Sequence, residues 1–283
     1  MGIFLSCEKV IPYKGPSPAR KLVLNGAFAP DSGWQVQLTQ SLGITDDLPE
    51  HISFATVRLT SLSDGWEEEL VHMDSGRYET RKHYGRIGGE YEMSVVASGF
   101  PSIKAKDKIP SSPMVRFLDT LSSDLDGIPV LQLQLEITDQ ETIDAYVIEV
   151  FERHPFIDQL AEAHLYLYEF DPKIANEGLG NDQGAFDRLF LPDTGWENQR
   201  STITFAIERF PSLEPVGQDS TEIRIRVSAV SADYYAYQRS FVRYSLAYYY
   251  LSFPQSQGVH SNVDDGFGIF GAYTPVDIPL VIK

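Results

Sequence analysis

Leu131-Gln132-Leu133-Gln134-Leu135-Glu136-Ile137 alternates apolar and polar side chains without a break. A period of two puts four aliphatic groups on one face of an extended segment and three polar groups on the other, the mark of a strand with one wet face. A helix would spread the same residues around its circumference. The same alternation occurs earlier, where Trp34, Val36 and Leu38 interleave with Gln35, Gln37 and Thr39. Around it lie short strand candidates at 22–28, 34–42, 52–62, 67–73, 77–80, 90–97 and 103–106, punctuated by Pro30-Asp31, Asp64-Gly65, Ser75-Gly76 and Gly88-Gly89. Further strands are expected at 143–152, 164–170, 201–208 and 222–230. The chain therefore reads as all-β.

Ile109-Pro110-Ser111-Ser112-Pro113 breaks both the strand and the helix period and marks the boundary between two units. Residues 1–18 are expected to form a tether, 19–112 an N-terminal β-sandwich, and 113–283 a larger β-sandwich or barrel. One helix interrupts the second unit. Tyr234, Tyr237, Phe241, Tyr244 and Tyr248 recur at spacings of three and four residues, with Ser231 and Asp233 suited to the N-terminal end and Pro254 beyond the stop. This stripe is expected to pack on a sheet as core. The stretch 171–184, rich in Gly, Pro, Asn and Asp, is expected to be a long loop of the kind that carries recognition.

Composition sets outer limits on function. The 283 residues are 42% apolar and 22% charged, so the chain can fold on core burial alone. Its 40 acidic against 23 basic residues give a formal net charge of −17, which repels nucleic acid and anionic lipid at long range. No run of about 18 apolar residues occurs, the length a membrane-spanning helix requires. A single cysteine, Cys7, excludes an internal disulfide and cysteine-rich metal sites.

Met1-Gly2-Ile3-Phe4-Leu5-Ser6-Cys7 resembles the end of a bacterial lipoprotein signal, in which the cysteine follows a short apolar run and a small residue and becomes lipidated. The apolar run is shorter than the roughly 7 to 15 residues of a working signal, so the natural precursor is expected to start further upstream. Gly2 and Ser6 also satisfy a myristoylation pattern, with Cys7 as a second acyl site. The segment that follows carries Pro12, Gly15, Pro16 and Pro18 and reads as a linker.

Asp193-Thr194-Gly195 matches an aspartic-protease triplet, but that chemistry requires two such carboxylates and a second copy is absent. Asp124-Leu125-Asp126-Gly127 and Asp264-Asp265-Gly266 cluster oxygen ligands without the twelve-residue calcium loop, and turns are expected there. The histidines His51, His72, His83, His154, His164 and His260 show no metal-binding spacing. No catalytic residue, metal ligand or cofactor is assigned.

Asp233-Tyr234-Tyr235-Ala236-Tyr237, followed by Ser261-Asn262-Val263-Asp264-Asp265-Gly266-Phe267-Gly268-Ile269-Phe270-Gly271-Ala272-Tyr273, resembles the closing signature of a Bacteroidetes envelope lipoprotein family known as domain of unknown function 4249. The resemblance continues at Cys7-Glu8-Lys9-Val10-Ile11, Ala55-Thr56-Val57-Arg58-Leu59, Gly76-Arg77-Tyr78 and Gly89-Glu90-Tyr91-Glu92-Met93-Ser94-Val95. It implies an immunoglobulin-like or transthyretin-like first domain, a lipid-anchored outer-membrane location through Cys7, a TonB-dependent transporter as partner, and no enzymatic activity. A binding or accessory role is expected, with an unknown small ligand met by loops of the second domain. An envelope hydrolase whose carboxylates converge in the fold and an adhesin or structural module are the alternatives. In the closing motif, Gly266, Gly268 and Gly271 are read as sites of positive φ or close backbone approach, and Phe267, Ile269 and Phe270 as core plugs.

Overall fold

The computed structural model describes residue 15 and residues 19–43, 48–153, 162–181, 184–208, 222–250 and 258–281. Cys7 and nearly all of the 1–18 tether lie outside them. The first unit runs β1 (Leu22–Phe28), β2 (Gln35–Gln40), β3 (Ala55–Ser61), β4 (Glu67–Glu69), β5 (Val71–His72), β6 (Arg77–Glu79), β7 (Glu90–Ala97) and β8 (Ile103–Lys108). The second runs β9 (Met114–Leu125), β10 (Ile128–Thr138), β11 (Ala145–Arg153), β12 (Glu162–His164), β13 (Leu167–Glu169), β14 (Leu189–Pro192), β15 (Arg200–Glu208), β16 (Glu222–Val230), α1 (Ala232–Tyr250) and β17 (Phe267–Val281).

Alternation along the strands builds two cores. In the first, β1, β2, β6 and β5 face the sheet β4-β3-β7-β8 across Phe28, Trp34, Leu38, Val57, Tyr91 and Met93, each at most 2% exposed. The segment 67–73 does not form one strand. It divides at Leu70, with β4 paired to β3 and β5 paired to β6, so the chain changes sheets there and closes one edge of the sandwich. In the second core, Leu131, Leu133, Leu135 and Ile137 of β10 and Ile203, Phe205 and Ile207 of β15 face β11 and β16. The wet face of β10 remains only partly buried at Gln132, Gln134 and Glu136.

Strand β9 is absent from the sequence expectation. Its residues 119–124 are mostly polar, and it lies at the free edge of the sheet β13-β15-β10-β9, so neither face shows a clean apolar pattern. It joins β10 through Asp126 (φ 50°) and Gly127 (φ 88°), two positive-φ residues of a tight hairpin. The Gly127 amide also donates to Asp124 Oδ1 at 2.7 Å. The expected turn is thus the hairpin tip.

The closing strand joins the two cores. β17 pairs parallel with β1 from Val23↔Phe267 to Phe28↔Ala272, and then antiparallel with β16 from Val230↔Tyr273 to Glu222↔Val281. The result is one nine-stranded sheet shared by both sandwiches. Phe270 and Ala272 belong to the first core, and Leu280 to the second. This strand thus returns from the second unit to complete the first core. The three glycines of the motif have distinct tasks. Gly268 lies at φ 104°, and a side chain there would collide with the Leu24 carbonyl of β1. At Gly271 a Cβ would collide with the Tyr234 ring, and at Gly266 it would crowd Leu22, Val263 and Ile103. Asn262 extends the pairing with its side chain, donating to the Phe270 carbonyl (2.9 Å) and accepting from the Phe270 amide (3.0 Å).

A carboxylate fastens α1 to this seam. Ser231 caps the helix, its hydroxyl oxygen accepting from the Tyr234 amide at 3.2 Å. The same hydroxyl donates to Asp107 Oδ2 at 2.5 Å, and the Ala272 amide donates to that oxygen at 2.8 Å. Burial outweighs these hydrogen bonds and pushes the Asp107 carboxyl up to about 6. A raised carboxyl contributes stability that is complete below its unfolded value and is lost as pH rises through its folded value. The stability difference between the natural chain and Asp107→Asn, measured by urea unfolding, is therefore expected to shift toward the variant from pH 5 to pH 7. A difference independent of pH over that range would contradict the assignment.

Candidate functional site

Helix α1 packs on the shared sheet, with Tyr234, Tyr235 and Val242 against the second core. Alternation along β17 turns Gly271 and Tyr273 toward it, and Tyr234 packs against both. Tyr235, one residue on, meets Phe190 edge to face at 5.8 Å. These contacts seat the first turn of the helix. Beyond that turn the facing wall is the segment leading into β14.

This arrangement changes the reading of the aromatic stripe. Tyr234 is partly buried as expected, but Phe241 is 49% and Tyr244 45% exposed, and the Tyr248 side chain lies outside the described residues. The expectation of a core stripe holds at Tyr234 and fails at Phe241 and Tyr244, because a loop stands where a sheet was assumed. Between helix and loop is a groove. Its larger part, about 440 Å³, is lined by Tyr234, Tyr237, Gln238 and Phe241 from the helix and by Asp187 and Arg188 from the facing segment. A smaller part, about 170 Å³, continues toward Tyr166, Leu179 and Phe186. The two parts share Asp187, Arg188, Val242 and Leu246.

The segment 166–188 is held in place by its own polar groups. Buried Asn176 accepts from the Phe190 amide at 2.7 Å and donates to the Arg188 carbonyl at 2.8 Å, tying the loop to β14. Phe186 and Leu167 exchange backbone hydrogen bonds at 2.8 and 2.9 Å. The wall is thus a fixed surface. The Arg188 guanidinium donates to Gln238 Oε1 at 2.8 Å and pairs with Glu149 of β11 at 3.4 Å.

The lining is equipped for stacking and hydrogen bonding. Tyr237 and Phe241 lie one helical turn apart with near-parallel rings, 5.9 Å between centroids and 15° between planes. Burial raises the phenols of Tyr234 (to about 12) and Tyr237, so both hydroxyls stay protonated at neutral pH and act as hydrogen-bonding groups. The sequence reading places Tyr234, Tyr237 and Phe241 in the core and does not single out Gln238, Asp187 or Arg188. Gln238 carried a signal: a polar amide in the middle of the helical face 234, 237, 241 is out of place in a core. Asp187 and Arg188 carried none.

The other motifs singled out in the sequence form structural turns. Asp193-Thr194-Gly195 turns into Trp196, whose amide donates to the Asp193 carbonyl at 3.0 Å and whose indole donates to the Pro192 carbonyl at 2.9 Å. Gly195 sits at φ 91°. Beside it, buried Asp139 accepts from the Tyr146 hydroxyl (2.7 Å) and the Asn198 amide (2.8 Å). Asp264-Asp265-Gly266 is the bend into β17, with Asp265 at φ 60°. His83 stacks on Trp66 and contacts Glu68 at 2.8 Å, while His260 contacts Asp233 at 2.7 Å.

A family model described as Domain of unknown function (DUF4249) matches residues 8–278, and the chain belongs to this family. No curated protein matches it in sequence. Among solved structures, a two-fibronectin type III domain segment of chicken tenascin is 11% identical, covering 93% of this chain and 99% of that one at a TM-score of 0.23. A provisionally named carbohydrate binding protein from Bacteroides uniformis is 10% identical, covering 92% and 98% at a TM-score of 0.20. Scores this low carry no inference about ligand or activity.

If Phe241 is a groove residue and not core, Phe241→Ala should cost less than about 1 kcal/mol. Phe190→Ala, at a site fully buried against Tyr235, should cost about 3 to 5 kcal/mol. Urea unfolding of the two variants distinguishes these sites, and equal losses would return the stripe to the core.

Proposed function

We propose that this chain is a lipid-anchored binding or accessory protein of the outer membrane, working beside a TonB-dependent transporter. The groove beside α1 carries the binding part of this reading. It joins the half-exposed Phe241 ring and the partly buried Tyr237 ring to polar groups on the helix and on the facing segment, which is how small-ligand sites are built. Recognition suits its lining better than bond cleavage. Its carboxylate, Asp187, is exposed, its guanidinium is paired with Glu149, and its phenols stay protonated. That lining gives no support to the hydrolase alternative. Its residues Leu179 and Asn181 also belong to the loop at 171–184 that the sequence marked for recognition.

The tether rests on the sequence around Cys7 and on the family resemblance. The multiple acyl chains of a mature lipoprotein would hold the protein at the membrane, which a single chain does only marginally. The transporter rests on the resemblance alone.

Two measurements test the two parts separately. Screening a small-molecule fragment library by NMR against the full chain should give shift changes centred on Tyr237, Val242 and Leu246. Hits confined to other surfaces would remove the groove as the binding site. Labelling with radioactive fatty acid in a bacterial host, using the natural precursor, should mark the protein and fail with Cys7→Ala. Label retained in that variant would refute the anchor.

A further inference from the structure

We infer that the groove takes a neutral saccharide, a reading that rests on the binding role proposed above and specifies its ligand class. The central observation is Gln238. Its side chain lies in a residue only 9% exposed, yet it lines the groove. Arg188 has donors alone, so the 2.8 Å contact fixes the Gln238 amide oxygen toward the guanidinium and leaves the NH2 group as the other end. That NH2 has no protein partner among the described residues. A donor without a protein partner, carried by a residue this buried in the groove wall, can take its acceptor from a ligand.

Charge narrows the class. Arg188 is compensated by Glu149 at 3.4 Å, so it does not offer the free cation that a carboxylate or phosphate ligand needs. Asp187 on the rim and a net charge of −17 further oppose an anion. A cationic ligand, itself a donor, would meet the donors of Gln238 and Arg188, with Asp187 at the rim as the one carboxylate of the lining. A wholly apolar ligand would leave the Gln238 NH2 unpaired. A neutral ligand with acceptor and donor groups on its edge and an apolar face remains.

Sugar rings have that form. Hydroxyls ring the edge, and the C–H groups gather on a face that packs against an aromatic ring. Phe241, half exposed and parallel to Tyr237, supplies the ring surface. Gln238 donates to a hydroxyl oxygen from the floor, the Tyr237 hydroxyl can donate or accept, and exposed Asp187 accepts from a hydroxyl at the rim. A space of about 440 Å³, open to solvent on one side, has the size of a small-ligand site and leaves room for a chain to continue out of it.

The test is calorimetric titration of the full chain with neutral trisaccharides of glucose, mannose, xylose and N-acetylglucosamine, and with trigalacturonate as the acidic comparison. At least one neutral sugar should bind, and Phe241→Ala and Gln238→Leu should each weaken it by about tenfold or more with thermal stability retained. Three results would overturn the proposal: no binding by any neutral member, binding of trigalacturonate alone, or unchanged affinity in both variants. Fragment hits at Tyr237 and Val242 without sugar binding would reject the saccharide and leave the binding reading in place. Sugar binding unaffected by either variant would place the sugar elsewhere and remove this groove from the assignment.

Discussion

The parallel pairing of β1 with β17 is the constraint on which the rest of the molecule depends. One strand near the start of the chain and one at its end meet over six residue pairs, and the same closing strand then runs antiparallel beside β16. Neither sandwich is complete without it, since Phe270 and Ala272 fill the first core and Leu280 the second. The contact is possible because Gly268 takes a φ of 104° against the Leu24 carbonyl, a conformation L side chains rarely adopt. The other face of the strand depends on a second glycine. Gly271 lets Tyr234 approach the sheet, and Tyr234 seats the helix that forms one wall of the groove. Asp107 and Ser231 then tie the first unit to the helix start. Fold and candidate site thus share a single seam.

Much of this was legible in the sequence where a segment has one wet and one dry face. The alternation of 131–137 and 34–39 located β10 and β2, and the spacing of the tyrosines located α1. What was not legible depends on contacts between distant segments. β9, a sheet edge, mixes apolar and polar residues without a period of two, and β14 is a four-residue strand at Leu189–Pro192, too short to show one. The closing motif was recognisable as glycine and aromatic, but a parallel partner some 240 residues away leaves no local pattern. Hence the second unit could not be seen to lend a strand to the first.

The groove shows the same limit in a functional setting. Periodicity established that Tyr234, Tyr237 and Phe241 share one helical face, and it could not say what that face meets. A sheet opposite would have made the stripe a core. A polar loop, tied back by Asn176, makes it one wall of a groove instead. Asp187 and Arg188 reach the site through β14 and its pairing with β11, a contact that no spacing along the chain encodes. Gln238 was the exception, since a glutamine among aromatics already marks a face with a polar task.

A shared closing strand makes the two cores one cooperative unit, in spite of their separate interiors. Differential scanning calorimetry of the full chain tests this most directly. The account predicts one transition, with calorimetric and van't Hoff enthalpies equal. Two resolved transitions, or a calorimetric enthalpy well above the van't Hoff value, would show that the sandwiches melt independently and would contradict the central role of β17.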